Sequence, residues 1–299
     1  MKKYAFFLIP LALSVVLAYT VYTQTGIIIL QVVNEPPKII SLVLKDSAGN
    51  TVAQGSILKL ADASGNPLPY YLEVSIEDNN TLQDIRRIEV YIYKDGASVP
   101  SKYDFFNFTY DVWNNVVTTS IPDINVSVDS LPDLNLTSGT FRFKITFPKT
   151  AESVGSPKWN VLVRVYDASN NATANLADWF DFDFYAEYSI TPMVVLYAPA
   201  GQTVNGYIWV NISVINAPAK LKIYTNHTYM ILNGKEYTGW PINNTVSLIV
   251  DGKAYPVNVT LNITGPAENV NKQIQWTFKV PLTVPTGNYT LYYFIELSR

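Results

Sequence analysis

The sequence predicts an all-β protein made of two antiparallel β-sandwich domains behind an apolar N-terminal segment. After Pro37, apolar and polar residues alternate with a period of two, and no run of ten or more residues there has a convincing helical period. Turn signals rich in Gly, Asn and Pro separate the alternating runs. Hydrophobic residues make up 48% of the 299 residues and charged residues 15%, so the chain has enough apolar material for packed cores.

The first 18 residues are typical of an export signal. Lys2 and Lys3 precede an apolar stretch that ends in a small residue, Ala18, so we expect cleavage between Ala18 and Tyr19. The alternative is an uncleaved membrane anchor, because residues 4–34 carry no charge and could span a bilayer. In both cases the two lysines stay inside and the bulk of the chain lies outside the cytoplasm.

Residues 19–37 are expected to hold an apolar strand and a linker. The linker is Glu35-Pro36-Pro37, in which two prolines favour an extended chain. The strand before it is uncharged and β-branched on both faces, which is typical of a strand buried on both faces. Its residues are Gly26, Ile27, Ile28, Ile29, Leu30, Gln31, Val32 and Val33.

The first sandwich domain is predicted over residues 38–188. Apolar residues alternate with polar ones in several runs, each of which indicates a half-buried strand. These runs include Leu72, Val74 and Ile76; Ile88, Val90 and Ile92; Phe141, Phe143, Ile145 and Phe147; and Val161, Val163 and Val165.

The second sandwich domain is predicted over residues 189–299. Asn233-Gly234 and Asp251-Gly252 are typical of tight hairpin turns in which both residues have positive φ. Strands are expected around the alternating runs Ile208, Val210, Ile212 and Val214; Val257, Val259, Leu261 and Ile263; Trp276, Phe278 and Val280; and Tyr289, Leu291, Tyr293 and Ile295.

Segments of the first domain resemble the Ig-like domains common in prokaryotic surface proteins. The similar segments are Pro36-Pro37-Lys38-Ile39, residues 74–80 (VSIEDNN) and residues 163–171 (VRVYDASNN). They cover about half of the chain together with the strands around them. The resemblance implies an Ig-like fold for both sandwiches and does not by itself imply a function.

Asn-X-Ser/Thr acceptor sequences for N-glycosylation are the strongest functional signal. Eleven are present, against about 4 expected by chance from the content of Asn, Ser and Thr. A glycan needs a solvent-facing site, and Asn211 shares the predicted outward face of its strand with Ser213. We therefore expect N-linked glycans on Asn79, Asn107, Asn125, Asn135, Asn171, Asn211, Asn226, Asn243, Asn258, Asn262 and Asn288.

The composition argues against several classes of function. The chain has no Cys and a single His, His227, which we expect to be an ordinary exposed residue, and it lacks a Gly-rich phosphate loop. A net charge of −3 without basic clusters disfavours nucleic-acid binding. We expect that the protein is not an enzyme and that it binds no cofactor and no metal ion.

Two groups of polar residues offer alternatives to that expectation. Paired carboxylates among Glu77, Asp78, Asp181 and Asp183 could perform glycoside chemistry but are expected to be simply solvated. The oxygen-rich loops contain Asp78, Asn79, Asn80 and Asp84, and Asp167, Asn170 and Asn171. Such loops suit calcium, although ordinary turn hydrogen bonds are the favoured explanation.

Three functions remain open on the sequence. The first is a structural subunit of an extracellular filament, in which residues 26–33 complete the sheet of a neighbouring copy. The layout of signal, apolar strand, linker and glycosylated β-domains resembles archaeal thread filaments, and this resemblance implies a homopolymer joined head to tail by a donor strand. The alternatives are a membrane-anchored Ig-like surface glycoprotein and a carbohydrate-binding or carbohydrate-processing sandwich.

Overall fold

The computed structural model describes residues 34–191 and 193–299, and this part of the chain is almost wholly β. Strands hold 55% of residues and helices 3%, which confirms the predicted all-β, Ig-like class. The chain divides into residues 1–34 and residues 35–299, and every described strand lies in the second unit. The predicted cleavage at Ala18 and the apolar strand at residues 26–33 lie outside the described residues. No helix among the described residues is long and apolar enough to cross a bilayer.

The first ten strands form two facing sheets. They are β1 (Lys38–Lys45), β2 (Ser56–Leu58), β3 (Pro69–Glu77), β4 (Arg87–Lys94), β5 (Phe105–Asp111), β6 (Val116–Thr119), β7 (Asn125–Ser130), β8 (Ser138–Thr146), β9 (Trp159–Tyr166) and β10 (Asn171–Phe182). One sheet has the order β1-β3-β8-β7 and the other β2-β10-β9-β4-β5-β6. In the order of an immunoglobulin domain, the first sheet supplies strands A, B, E and D, while β4, β9 and β10 take the positions of C, F and G.

The core of the first sandwich is rich in aromatic rings. Trp159 stacks between Phe106 and Phe180, with ring centroids 5.3 Å and 6.1 Å apart. The inward residues predicted from the alternation are all buried: Leu72, Val74, Ile76, Ile88, Val90, Ile92, Phe141, Phe143, Ile145, Phe147, Val161, Val163 and Val165. The period-two pattern therefore identified the inner faces of these strands correctly.

The remaining strands form the second sandwich. They are β11 (Ala186–Ile190), β12 (Thr203–Ile215), β13 (Ala219–Tyr224), β14 (Tyr229–Leu232), β15 (Lys235–Pro241), β16 (Val246–Val250), β17 (Lys253–Tyr255), β18 (Val259–Ile263), β19 (Ala267–Lys279), β20 (Tyr289–Thr290) and β21 (Phe294–Ser298), with one short helix, α1 (Ile242–Thr245). Their sheets have the orders β11-β12-β19-β16-β17, β18-β13-β21 and β15-β14-β20. The strands β11, β12, β19 and β16 take the positions of A, B, E and D, and β13 and β21 those of C and F.

Two features of the second sandwich were predicted from local sequence. Asn233 and Gly234 have φ values of 51° and 79°, and Asp251 and Gly252 have 51° and 77°, as the hairpin turns require. The C-terminal alternation differs from expectation, because it is split into β20 and β21. The split faces a matching interruption between β13 and β14, their pairing partners, so the ladder is broken on both strands at the same level.

Asn216 joins the two sandwiches, whose hydrophobic cores are separate. Its side chain is completely buried, and its Nδ2 donates to the backbone oxygens of Ala151 at 3.1 Å and Asp183 at 2.8 Å. Its Oδ1 accepts the Tyr185 N–H at 2.7 Å, and its backbone oxygen accepts the Ser153 N–H at 3.0 Å. One side chain thus binds both the connecting segment and a loop of the first sandwich.

The predicted boundary between residues 188 and 189 falls inside β11, which pairs with β12 from Ala186 onwards. As a domain boundary it stays a prediction. The first strand of the second sandwich nevertheless starts three residues earlier, because the pairing with β12 extends to Ile215.

Candidate functional site

The F strand of the first sandwich provides an internal reference for a complete Ig-like sheet. This strand, β9, pairs with β4 along one edge and with β10 along the other. Its inward residues Val161, Val163 and Val165 are completely shielded from solvent. A G strand beside F therefore both satisfies the backbone groups of the edge and closes the core beneath it.

The corresponding strand of the second sandwich has one partner. Among the described residues, β21 pairs with β13 and with no other strand. Its inward residues Ile295 and Leu297 pack against the core but stay half-buried. No described strand lies at the position that β10 takes in the first sandwich, and the core is less completely covered there.

Tyrosine hydroxyls reach across this open side in place of a strand. Tyr188 of β11 donates its hydroxyl to the backbone oxygen of Ile295 at 3.2 Å, and Tyr293 donates its hydroxyl to the backbone oxygen of Thr191 at 2.6 Å. Burial raises the pKa of the Tyr293 hydroxyl, which keeps it a neutral donor. The bond from Tyr188 shows that the Ile295 carbonyl points away from β13, towards the open edge.

Exposed apolar side chains are found on β11 and β21 and in the segment that follows β11. Tyr188 and Phe294 are both 42% exposed, and in the segment after β11 Met193 is 74% exposed and Tyr197 is 90% exposed. Exposed apolar residues concentrated beside unpaired backbone groups are typical of a surface that binds another chain. We call the free side of β21, together with Tyr188, the open edge.

The segment of residues 193–197 runs beside β12 without joining its sheet. Val194 and Leu196 lie over Gly206, where a Cβ atom would come within 3.2 Å and 2.9 Å of their side chains. In the described part of the chain, no backbone hydrogen bond joins this segment to β12 beyond Thr191, whose N–H bonds to the Trp209 oxygen at 3.1 Å. A larger residue at position 206 would have to displace the end of the Leu196 side chain.

The predicted glycosylation sites are nearly all accessible. Ten of the eleven acceptor asparagines are exposed, and Asn107 on β5 is half-buried with its Oδ1 unpartnered among the described residues. The exposed sites are Asn79, Asn125, Asn135, Asn171, Asn211, Asn226, Asn243, Asn258, Asn262 and Asn288. Their accessibility permits modification, and their occupancy stays a prediction.

The turn at Asn79 also binds Glu35, the first residue of the unit that contains all the described strands. The Glu35 N–H donates to Asn80 Oδ1 at 3.0 Å, and Asn79 Nδ2 donates to Glu35 Oε2 at 2.5 Å. These two bonds fix the first residue of the Pro36-Pro37 linker against the end of the first sandwich. Glu35 is therefore held by a turn that carries a glycosylation sequence.

Asp181 and His227 have structural partners, and the expectation that Asp181 is simply solvated is wrong. Asp181 is buried and accepts the N–H groups of Val154 and Gly155, at 3.0 Å and 2.6 Å. His227 Nδ1 lies 3.1 Å from Glu236 Oε1. Across the described residues, no group of three or more His, Asp or Glu side chains could hold a metal ion.

The oxygen-rich loops use their side chains for turn hydrogen bonds. Asp167 Oδ1 accepts the Ser169 N–H at 2.6 Å, and Asp78 Oδ1 accepts the Asn80 N–H at 2.8 Å. Burial, followed by the negative charges of nearby carboxylates, raises the pKa of the Asp78 carboxyl. These side chains therefore make the turn hydrogen bonds that the sequence predicts.

Sequence reasoning missed the residues that shape the open edge. Tyr188 and Tyr293 look like ordinary strand aromatics, and their hydrogen-bond acceptors lie 107 and 102 residues away. The alternation at residues 289–295 predicted a strand but contained no sign that one side of it would lack a partner.

Comparisons with known proteins give no family. No protein-family model matches the chain, and no curated protein matches it. The solved structures include the chaperone–tip adhesion subunit complex CsuC–CsuE from Csu pili of Acinetobacter baumannii, with 11% identity, 75% of this chain and 89% of that chain covered, and a TM-score of 0.30. The C-terminal domain of the antigen I/II-family protein AspA from Streptococcus pyogenes has 10% identity, coverages of 88% and 95%, and a TM-score of 0.26.

A third solved structure is the secreted serine protease VesC from Vibrio cholerae, with 11% identity and a TM-score of 0.22. It is matched over 82% of this chain, which spans about half of that protein, 48%. At such low TM-scores, these similarities carry no argument about what this chain does.

Proposed function

We propose that this protein is the structural subunit of an extracellular, glycosylated filament, in which residues 26–33 of one copy pair with the open edge of the next. The observation that carries the proposal is the contrast between β9 and β21. Among the described residues, the first strand is paired on both edges over a sealed core, whereas the second is paired on one edge over the half-buried Ile295 and Leu297.

The apolar segment has the properties that this position requires. A strand beside β21 would cover Ile295 and Leu297, so its inward residues must be apolar. Residues 26–33 are uncharged, and all of them except Gln31 are apolar. Eight residues in a strand extend about 26 Å, enough to cover the five residues of β21. Backbone hydrogen bonds would provide affinity, and side chains in the groove would provide the register.

Filament formation follows from the positions of the two partners. The donor lies before the first sandwich and the acceptor lies on the second, so the contact is between different surfaces of two copies. A contact of this kind repeats head to tail and produces an open polymer unless the rotation closes a ring. Glycans on the remaining surface would limit sideways association of the sheets.

The first test removes the donor. A variant that lacks Thr25 to Val33 behind an intact signal should be secreted and folded but should form no filaments in electron micrographs. Long filaments from this variant would disprove the donor-strand proposal. A protein that stays single, with its N-terminus retained in the membrane, would instead support the membrane-anchored alternative.

The second test blocks the acceptor. Leu297 lies two residues after Ile295 on β21, so its N–H also points to the open edge and away from β13. Leu297→Pro removes that donor with little effect on pairing with β13. Leu297→Ala is the matched control, because it shortens the side chain and keeps the N–H. We expect filaments from the alanine variant and none from the proline variant, with circular dichroism to confirm that both are folded.

A peptide assay avoids dependence on polymerisation. A synthetic peptide of residues 26–33 with a charged solubilising tag should raise the melting temperature of the variant that lacks those residues, in a saturable manner. A scrambled peptide of the same composition and tag is the control. No difference between the two peptides would contradict the proposed pairing.

A further inference from the structure

In the described structure, the outer face of the β12 sheet carries two large, exposed aromatic side chains that make no ring or cation contact. Tyr207 is 47% exposed and Trp209 is 45% exposed, and both lie on the side of β12 that faces away from the core. Exposed aromatic side chains grouped on a sheet face can mark a site for a ligand or partner.

Trp209 stands directly before a glycosylation sequence on the same face. Asn211 and Ser213 follow it at intervals of two residues, and all three are exposed while Val210 and Ile212 between them are buried. Residues two apart on a strand lie about 6.6 Å apart. The first sugar of a glycan on Asn211 therefore begins within reach of the indole ring.

Among the aromatic residues that precede acceptor asparagines by two positions, Trp209 is the one whose ring is unengaged in the described structure. Phe105, before Asn107, contacts Tyr91 and Tyr93. Tyr224, before Asn226, stacks on Phe294 with a centroid distance of 5.4 Å. Within the described residues Trp209 has no ring or cation contact, and 45% of the residue is exposed and accessible to a ligand.

The surroundings of Trp209 suit a sugar. Its cross-strand neighbour on β19 is Gln273, and Tyr207 and Asn211 have Gln275 and Asn271 opposite them. Amides both donate and accept hydrogen bonds, which matches the hydroxyl groups at the rim of a pyranose. The apolar C–H face of such a ring can cover the indole and remove it from water.

We propose that Trp209 is a stacking platform for the proximal sugar of an N-linked glycan on Asn211, and that this glycan stabilises the second sandwich. The inference rests on the glycosylation included in the proposed function but not on filament assembly. It makes Asn211 different from Asn262, an exposed site on β18 that has Thr260 two residues before it.

The test is a double-mutant cycle in a host that glycosylates the protein. The four proteins are the wild type, Trp209→Ala, Asn211→Gln and the double variant, all lacking residues 25–33 so that they stay single, with glycopeptide mass spectrometry to verify occupancy. Loss of the Asn211 glycan should lower the melting temperature by about 2–4 °C, as expected for one aromatic stacking contact in a protein of this length. In the Trp209→Ala background the same loss should have little effect.

Two controls isolate the sugar contact. The same cycle made in a host that does not glycosylate should be additive, and Asn262→Gln should be additive with Trp209→Ala in both hosts. An unoccupied Asn211, or an additive cycle in the glycosylated protein, would overturn the proposal. Binding of a soluble oligosaccharide that is lost in Trp209→Ala, with an additive glycosylated cycle, would overturn it in favour of external carbohydrate.

Discussion

Replacing Asn216 with alanine should strongly destabilise the protein. The substitution removes the side chain that donates to the oxygens of Ala151 and Asp183 and accepts from the Tyr185 N–H, at distances of 2.7–3.1 Å. All of these groups lose their partner, and water cannot replace it because Asn216 is completely buried. The backbone bonds of residue 216 to Tyr185 and Ser153 do not depend on the side chain and are retained.

The expected magnitude follows from the groups left unpaired. Each buried, unsatisfied polar group costs about 1–3 kcal/mol, and neighbouring groups are not additive, so the total is about 3–5 kcal/mol. A protein of this size loses about 2–4 °C of melting temperature per kcal/mol, which gives a decrease of about 6–20 °C. The expected loss of about 3–5 kcal/mol is a large part of the free energy of unfolding of typical folded proteins, about 5–15 kcal/mol.

Calorimetry and urea unfolding on the variant lacking residues 25–33 measure this change without interference from assembly. Asn216→Asp separates hydrogen bonding from loss of volume, because the carboxylate has nearly the same shape but offers no N–H to the two carbonyls. We expect it to be at least as damaging as alanine at neutral pH. Asn244→Ala is the control, since Asn244 is exposed on α1 and its truncation should change stability by less than about 0.5 kcal/mol. A loss below about 1 kcal/mol in Asn216→Ala would refute the reasoning.

Four other predictions concern stability and modification. Asp78→Asn should raise the melting temperature at pH 7, because the pKa of the Asp78 carboxyl is raised in the folded protein. The contribution of this carboxyl to stability is full below about pH 4 and is lost as the pH rises through its folded-state pKa. Asp46→Asn should lower the melting temperature at pH 7, because hydrogen bonds from Asn50 lower the pKa of Asp46 in the folded protein. The contribution of Asp46 to stability is present above about pH 4 and is lost on acidification. Melting curves from pH 3 to 7 in which both variants change stability in the same direction would be inconsistent with these assignments. Gly139→Ala should cost about 1–3 kcal/mol in urea unfolding, because its Cβ would stand 2.3 Å from Pro132 Cβ, whereas Ser138→Ala beside it should be nearly neutral. Intact mass of the native protein should exceed the polypeptide mass by glycans on at least half of the eleven acceptor sites, and the bare mass of 33.5 kDa, less any removed signal, would contradict heavy glycosylation.

The sequence predicted the strands well where one face of a strand is buried. Ile208, Val210 and Ile212 alternate with exposed residues because β12 has a core on one side and solvent on the other, and a period of two records that difference directly. The turns at Asn233 and Asp251 were equally readable, since few residues tolerate positive φ in pairs.

Pairing between distant strands was beyond the reach of local patterns. The run from Tyr289 to Ile295 looks like one uninterrupted strand, and only contacts with β13 and β14, some 70 residues earlier, divide it into β20 and β21. The same applies to Asn216, which stands before Ala217 and Pro218 and looks like a common turn residue. Its partners lie 31 to 65 residues away in sequence.

The sequence by itself determined the all-β class, the inward faces and turns of the strands, and the positions of the glycosylation sequences. Each of these depends on residues within a few positions of one another. Only the tertiary structure decided which described strands pair with β9 on both edges and with β21 on one, that the Trp209 ring makes no ring or cation contact among the described residues, and that Asn216 bonds to both sandwiches. These features depend on which strands and loops meet after folding, and an apolar, β-branched strand has the same local pattern whether or not another strand lies beside it.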